Sequence, residues 1–331
     1  MIKKKISTLL VFIVIVILTN IIMLPCQFLG LGSKSTQLVK SIGKNIISCI
    51  YTYGYESKIK INGEMENPGE NKINIILGNH ISSLDWGIVL GILDKFNIDN
   101  WYYVIKRSQI NVPSFGALFG FDHDIKVKKK WLDDQSHFER QIDKIKSGNI
   151  IIFPAGTRFT LKKHKKAIEF SKKNNIPIYD NLLVPRTKGL WKLISYLEKN
   201  NRLANIYDFT FVIPKFLKKE LFLNKILESE LGDTYAIIRK IKTPDKMYLD
   251  DMVTFKKWIF KFWKEKDNLI NDLNKYEFIE HKPDLKSSNY IMIIFCLVLT
   301  IFLLIKFKFK YIALTYLLSY LIIYFKNYYK K

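Results

Sequence analysis

The sequence predicts an α/β domain: a mixed or largely parallel sheet flanked by helices, with membrane helices at the N- and C-terminal ends. Three observations predict this. Short apolar runs of strand length recur through the middle of the chain. Stretches with apolar residues at helical spacing alternate with them. Several of the runs end in polar residues capable of chemistry, which is where open α/β sheets place their ligands.

Taken in order, residues 1–5 are short and basic, and residues 6–24 are almost wholly apolar, long enough at helical rise to cross a bilayer. A basic start and an apolar run also describe a signal peptide. The length of the run and the lack of a small-residue cleavage site favour an uncleaved anchor over 1–33. Leu38, Ile42, Ile46, Ile47 and Ile50 then fall near helical spacing, so 34–62 reads as an amphipathic, membrane-proximal segment. Its apolar face lies either on the membrane or against the following domain. After a Gly- and Pro-containing loop at 63–71, strands are expected at 73–77, 101–105, 124–127, 149–153, 181–184, 206–212 and 235–241. Helices are expected at 86–93, 134–146, 163–173 and 190–197, and Trp258, Phe262 and Leu269 mark one face of a closing helix over 254–276. The folded domain is thus 63–282. Two shorter apolar pieces, 290–305 and 311–325, flank Lys306, Lys308 and Lys310, and make 283–331 either two tight spans or a membrane-embedded hairpin.

A net charge of +23 over 331 residues calls for an anionic partner: nucleic acid, a membrane surface or a phosphorylated substrate. The apolar ends and the absence of a nucleic-acid recognition motif argue against the first. Cys26, Cys49 and Cys296 are far apart and imply neither a disulfide framework nor a metal site. His123 between Asp122 and Asp124 reads as an ordinary turn, and His137 and His281 as surface residues.

The chemistry gathers in four blocks. The first is Asn79-His80-Ile81-Ser82-Ser83-Leu84-Asp85-Trp86, at the exit of the 73–77 strand. A carboxylate there can hold one ring nitrogen of His80 while the other faces a hydroxyl, although a structural His in a polar turn fits this block as well. The second runs from Lys106 to Gly120 and then from Ile125 to Trp131. The third is Phe153-Pro154-Ala155-Gly156-Thr157-Arg158-Phe159-Thr160, and the fourth Pro185-Arg186-Thr187-Lys188-Gly189. Each of the last two puts Arg, whose planar fork suits phosphate oxygens, just past an apolar strand candidate.

In this order and spacing the blocks resemble those of the glycerolipid acyltransferase family, the 1-acylglycerol-3-phosphate and lysocardiolipin acyltransferases. His80 and Asp85 match its His-x4-Asp motif. Phe153, Pro154, Gly156, Thr157 and Arg158 match its Phe-Pro-Glu-Gly-Thr-Arg motif. The later Tyr207-Asp208 pair and the Lys257-Trp258 to Glu265-Lys266-Asp267 helix are similar to its eukaryotic branch. Two positions depart from the pattern: Ala155 stands where the family has Glu, and Lys129 where it has an Arg. The resemblance implies an acyl-CoA-dependent acylation of a lysophospholipid, 1-acyl-sn-glycerol 3-phosphate first, with lysocardiolipin or lysophosphatidylinositol as alternative acceptors. A catalytically weak lipid-binding homologue is the alternative that Ala155 motivates. His80 and Asp85 would be catalytic. Lys129, Gly156, Thr157, Arg158, Arg186 and Lys188 would bind substrate, with backbone donors near Gly156 available to an oxyanion. No metal or cofactor is expected, acyl-CoA being a co-substrate. The expected partners are acyl-CoA, the lysophospholipid and the bilayer, and the expected location is the endoplasmic reticulum or another intracellular membrane.

Overall fold

The computed structural model describes residues 44, 57–82, 85–108, 124–127, 135–217, 219 and 232–283. The expected anchor (1–33), the C-terminal hairpin from residue 284 on, and most of the 34–62 segment lie outside these residues. Among the described residues no helix is long and apolar enough to cross a membrane.

An eight-stranded sheet forms the centre. Its strands are β1 (Ile59–Asn62), β2 (Ile73–Gly78), β3 (Trp101–Lys106), β4 (Ile125–Val127), β5 (Gly148–Ile152), β6 (Leu203–Val212), β7 (Thr234–Ile241) and β8 (Ile279–His281), in the spatial order β4-β3-β5-β2-β6-β7-β1-β8. From β4 to β6 every pairing is parallel; β7 runs antiparallel to β6, β1 parallel to β7, and β8 antiparallel to β1. The mixed, mostly parallel sheet expected from the sequence is what forms. β2, at its centre, is buried at all six positions, as a strand covered on both faces must be.

Helices connect and cover the strands: α1 (Asp85–Lys95), α2 (Gln135–Asp143), α3 (Leu161–Lys173), α4 (Thr187–Lys199), the short α5 (Lys246–Asp250) and α6 (Met252–Asn271). From Gly87 to Leu93 α1 is buried all round, which its continuous apolar sequence requires. α6 buries Phe255, Ile259, Phe262, Trp263 and Ile270, and joins α4's Leu190, Leu193, Ile194 and Leu197 in one core with β2, β5 and β6.

Three sequence expectations change. Ile59–Asn62, placed in the membrane-proximal segment, is a sheet strand paired with β7. Residues 181–184, read as a strand from Leu182, Leu183 and Val184, enter no ladder. The Asp267 carboxylate takes the amides of Asp180 (2.7 Å) and Asn181 (2.8 Å), and the Trp263 indole N–H donates to Leu183 O (2.9 Å), so α6 occupies the groups a neighbouring strand would use. His281, expected at the surface, is 7% exposed and pairs with Asp94 at 3.2 Å. Lys44 reaches the same carboxylate at 3.7 Å and Asp99 at 2.7 Å, so both flanks of the domain meet at the end of α1.

At the N-terminal ends of the parallel strands a row of amides crosses the sheet. Asn205 donates to Asn74, Asn74 to Asn149 (2.9 Å), Asn149 to Asn100 O (2.9 Å), and Asn100 to Ser147 O. Asn74 and Asn149 are fully buried, so these bonds satisfy groups that water cannot reach.

Candidate active site

β2 ends at Gly78, and the chain turns at Asn79 and His80 into α1. Asn79 is fully buried. Its amide donates to Phe211 O (2.7 Å) and accepts from Phe211 N (3.0 Å), extending the β2–β6 pairing by a side chain where the backbone has already turned away. His80 projects from this support. Its Nδ1 lies 2.5 Å from Asp85 Oδ2. Its side chain is 24% exposed, that of Asp85 only 1%. Asp85 also accepts from Ile81 N (2.6 Å), Ser82 N (2.8 Å) and Ser82 Oγ (2.7 Å). The residue that starts α1 thus grips both the imidazole and the backbone of the loop before it. A carboxylate only accepts, so Nδ1 carries the proton and Nε2 keeps a lone pair for substrate.

The third block wraps this loop. Phe153 stacks on His80 (centroids 4.9 Å apart, planes at 26°), and Tyr103 stacks on Phe153 at 6.2 Å. Gly78 makes room for this, because a Cβ there would stand 2.7 Å from the Phe153 ring. Phe159 N donates to His80 O at 2.8 Å. Burial, with the Asp124 and Asp85 charges, pushes the Tyr103 phenol well up. It stays a neutral donor, bonded to Trp86 O at 3.0 Å, and is no rival base.

Gly156 adopts φ +64°, a conformation that suits glycine, and its N–H closes the turn on Phe153 O at 2.8 Å. That N–H is thus engaged within the turn itself. A Cβ on Gly156 would stand 3.1 Å from the Arg186 guanidinium, which shows how closely the fourth block packs on the third. Arg186 N also donates to Pro154 O (2.8 Å). Thr157 Oγ1 accepts from Lys163 Nζ (2.7 Å), which donates to Arg158 O as well (3.1 Å). Arg158 and Lys188 are half-buried and Arg186 is exposed. Ala155 is 7% exposed and packs with Phe159 and Leu183, so this position contributes packing and no charge. The third block therefore packs on the first at His80 and on the fourth at Arg186. Lys129 lies outside the described residues. An apolar recess lined by Ile81, Phe159, Asn181, Phe211, Ile213 and Ile270 opens beside the loop.

Behind the loop sits a charge cluster that sequence reasoning did not connect. Lys266 of α6 is fully buried. Its Nζ bonds to the Asp208 carboxylate, Phe209 O (2.8 Å), Thr210 Oγ1 (3.0 Å) and Leu77 O (3.2 Å). Arg239 pairs with the other Asp208 oxygen at 2.6 Å. Burial pushes the Lys266 ammonium down to about 8, against the opposing pull of Asp208. An unfolded lysine titrates near 10.5, so between about pH 8 and 10.5 the unfolded chain binds the more protons. This group's contribution to stability therefore rises with pH across that window and falls away as pH drops through about 8. Guanidinium chloride midpoints should show it: the difference between wild type and Lys266→Met moves in favour of wild type as pH is raised through the window.

A histidine held by a buried carboxylate at the end of a parallel strand, with the Phe153 ring stacked on it, can act as a general base. Residues 58–195 match the Acyltransferase family model. Among curated proteins, the chain is similar to the probable 1-acyl-sn-glycerol-3-phosphate acyltransferase 5 of Arabidopsis thaliana: 27% identity over 222 residues, 66% of this chain and 57% of that protein. Lysocardiolipin acyltransferase 1 of Gallus gallus is 26% identical over 226 residues, 65% of this chain and 57% of that one. The chain thus spans little more than half the length of these relatives. Among solved structures, the 1-acyl-sn-glycerophosphate (LPA) acyltransferase of Thermotoga maritima is similar with a TM-score of 0.47 and 14% identity, over 81% of this chain and 98% of that one.

Proposed function

We propose that the protein transfers an acyl group from acyl-CoA to the free hydroxyl of a lysophospholipid, with 1-acyl-sn-glycerol 3-phosphate as acceptor and phosphatidic acid as product. The observation that carries this is the His80 Nδ1–Asp85 bond at the end of β2, with the arginine-bearing turn folded around it. A glycerol hydroxyl is a poor nucleophile near neutral pH. His80 Nε2 takes its proton as the oxygen attacks the thioester carbonyl. The C–S bond of the tetrahedral intermediate then breaks, and the departing CoA thiolate recovers the proton from His80. Asp85 holds the tautomer and balances the transient imidazolium charge. No covalent enzyme intermediate is required. Arg158, Arg186 and Lys188, with Lys129, hold the acceptor phosphate and so align the hydroxyl. Both substrates carry acyl chains, so the reaction belongs at a membrane surface, and the apolar terminal stretches of the sequence suit an intracellular membrane such as the endoplasmic reticulum.

A second acceptor class, lysocardiolipin or another acidic lysophospholipid, is favoured by two observations: relatives named as lysocardiolipin acyltransferases align over much of the same stretch, and Ala155 replaces the expected Glu. Labelled acyl-CoA with a panel of 1-acylglycerol 3-phosphate, lysophosphatidylinositol, monolysocardiolipin and zwitterionic lysophosphatidylcholine separates these. The expected result is product from the phosphomonoester acceptor and little from lysophosphatidylcholine. Preference for monolysocardiolipin would move the assignment to the second class. Lipid binding with no product from any acceptor would show a binding protein that has kept the fold.

A further inference from the structure

The Lys266 cluster has a feature that core packing does not explain. Burying an ammonium is costly, and a well-packed apolar side chain of similar size is often at least as stabilising. What the ammonium adds is directed donors, and their targets are specific. Gly78 and Phe209 form the last registered pair between β2 and β6. Lys266 Nζ bonds a carbonyl on each of these strands, Leu77 O and Phe209 O, and Asp208 and Thr210 on β6 accept from it too. Three residues beyond Leu77 is His80. Two residues beyond Phe209 is Phe211, whose backbone holds Asn79. The ammonium therefore ties together both strand ends from which His80 is suspended, at the point where the ladder between them stops. The groups facing it are Asp208 and Thr210 from β6, Arg239 from β7 through Asp208, and the Trp263 ring from α6 at 5.6 Å.

We infer that Lys266, with Asp208 as its counter-ion, is a positioning residue for His80, fixing the spacing of the β2 and β6 ends that sets the imidazole against its substrate. The inference rests on the acyl-transfer reading for its kinetic consequence but not for its geometry. Lys266→Met is the informative variant: it keeps the stem and volume and removes the donors. Asp208 keeps its Arg239 partner, so the carboxylate is not left unpaired. An Ile259→Val control, buried in the opposite half of α6, loosens the same helix without touching the strand ends.

Two measurements test the inference. In steady-state kinetics below both melting transitions, Lys266→Met should lose about 100-fold in kcat, since a displacement of about 1 Å is worth that much, with KM for both substrates nearly unchanged. Ile259→Val should keep its kcat. In diethyl pyrocarbonate labelling read residue by residue by mass spectrometry, His80 should react faster in Lys266→Met, with His164 and His281 unchanged. Should Lys266→Met not fold, Thr210→Val removes one acceptor at constant shape and should show both effects in smaller measure. Equal kcat losses in Lys266→Met and Ile259→Val, or unchanged His80 labelling, would overturn the inference. If wild type turns over no acyl-CoA, the proposed activity fails, while the labelling still decides the positioning role.

Discussion

Replacing Asp85 by Asn is expected to lower turnover by about 10²–10⁴-fold and to cost about 1–3 kcal/mol of stability. Both effects follow from the bonds the carboxylate accepts. His80 Nδ1 and Ile81 N converge on one oxygen, Ser82 N and Ser82 Oγ on the other. An amide must turn its NH2 toward one of these sets. If the NH2 replaces the oxygen facing His80, it meets a ring nitrogen that must now accept, and the proton moves to Nε2. That tautomer cannot take a proton from a hydroxyl. If it faces Ser82 instead, Ser82 N–H meets the NH2 and keeps only its 3.0 Å bond to the other oxygen, in a side-chain site only 1% exposed. The first orientation also turns the NH2 on Ile81 N–H, so either one weakens the backbone bonds that hold the loop while the first disables the base as well, and Asp85→Asn should lose activity and melt earlier together. Turnover with labelled acyl-CoA alongside a thermal melt checks this, and a variant with full activity would remove Asp85 from the mechanism.

His80→Ala is the cleaner chemical test. Loss of a positioned general base should reduce kcat by about 10²–10⁴-fold. The stability cost should be nearer 1 kcal/mol, because the side chain is partly exposed and the backbone contact from Phe159 N to His80 O survives the change. Asp85 keeps its three other donors. The contrast with Asp85→Asn is therefore diagnostic: comparable kinetic loss, smaller thermal shift. Normal turnover in a folded His80→Ala protein would end the general-base assignment.

Much of this architecture could be read from local sequence because local sequence carries it. β2 and β5 are apolar runs broken only by one asparagine each near the start, and the helix faces repeat at the right period. His80 and Asp85 were legible since a five-residue span closes within one turn. Features that depend on distant partners were not. Asn79 and Phe153 stand in the first and third blocks, but what they do, like the role of Lys163, shows only when β6, the His80 ring and the Thr157 hydroxyl are beside them. Lys266 and Asp208 are 58 positions apart, and nothing in either neighbourhood announces the other. Residues 181–184 misled for the converse reason: they have a strand's composition, but Asp267 and Trp263 claim their hydrogen bonds. β1 and β8, four and three residues long, are too short for alternation to stand out.

The amide row at the far end of the sheet carries one last implication. Its links all point one way, each side chain giving to the next, and its members come from chain segments as remote as residues 74 and 205. Sliding any of these strands by a single position would aim its asparagine at the wrong face and strand its neighbours' amides in a dry interior. The row thus works as a combination lock: no partial alignment satisfies it, so assembly of the parallel core should be all-or-none, with misthreaded sheets rejected at the end opposite the chemistry.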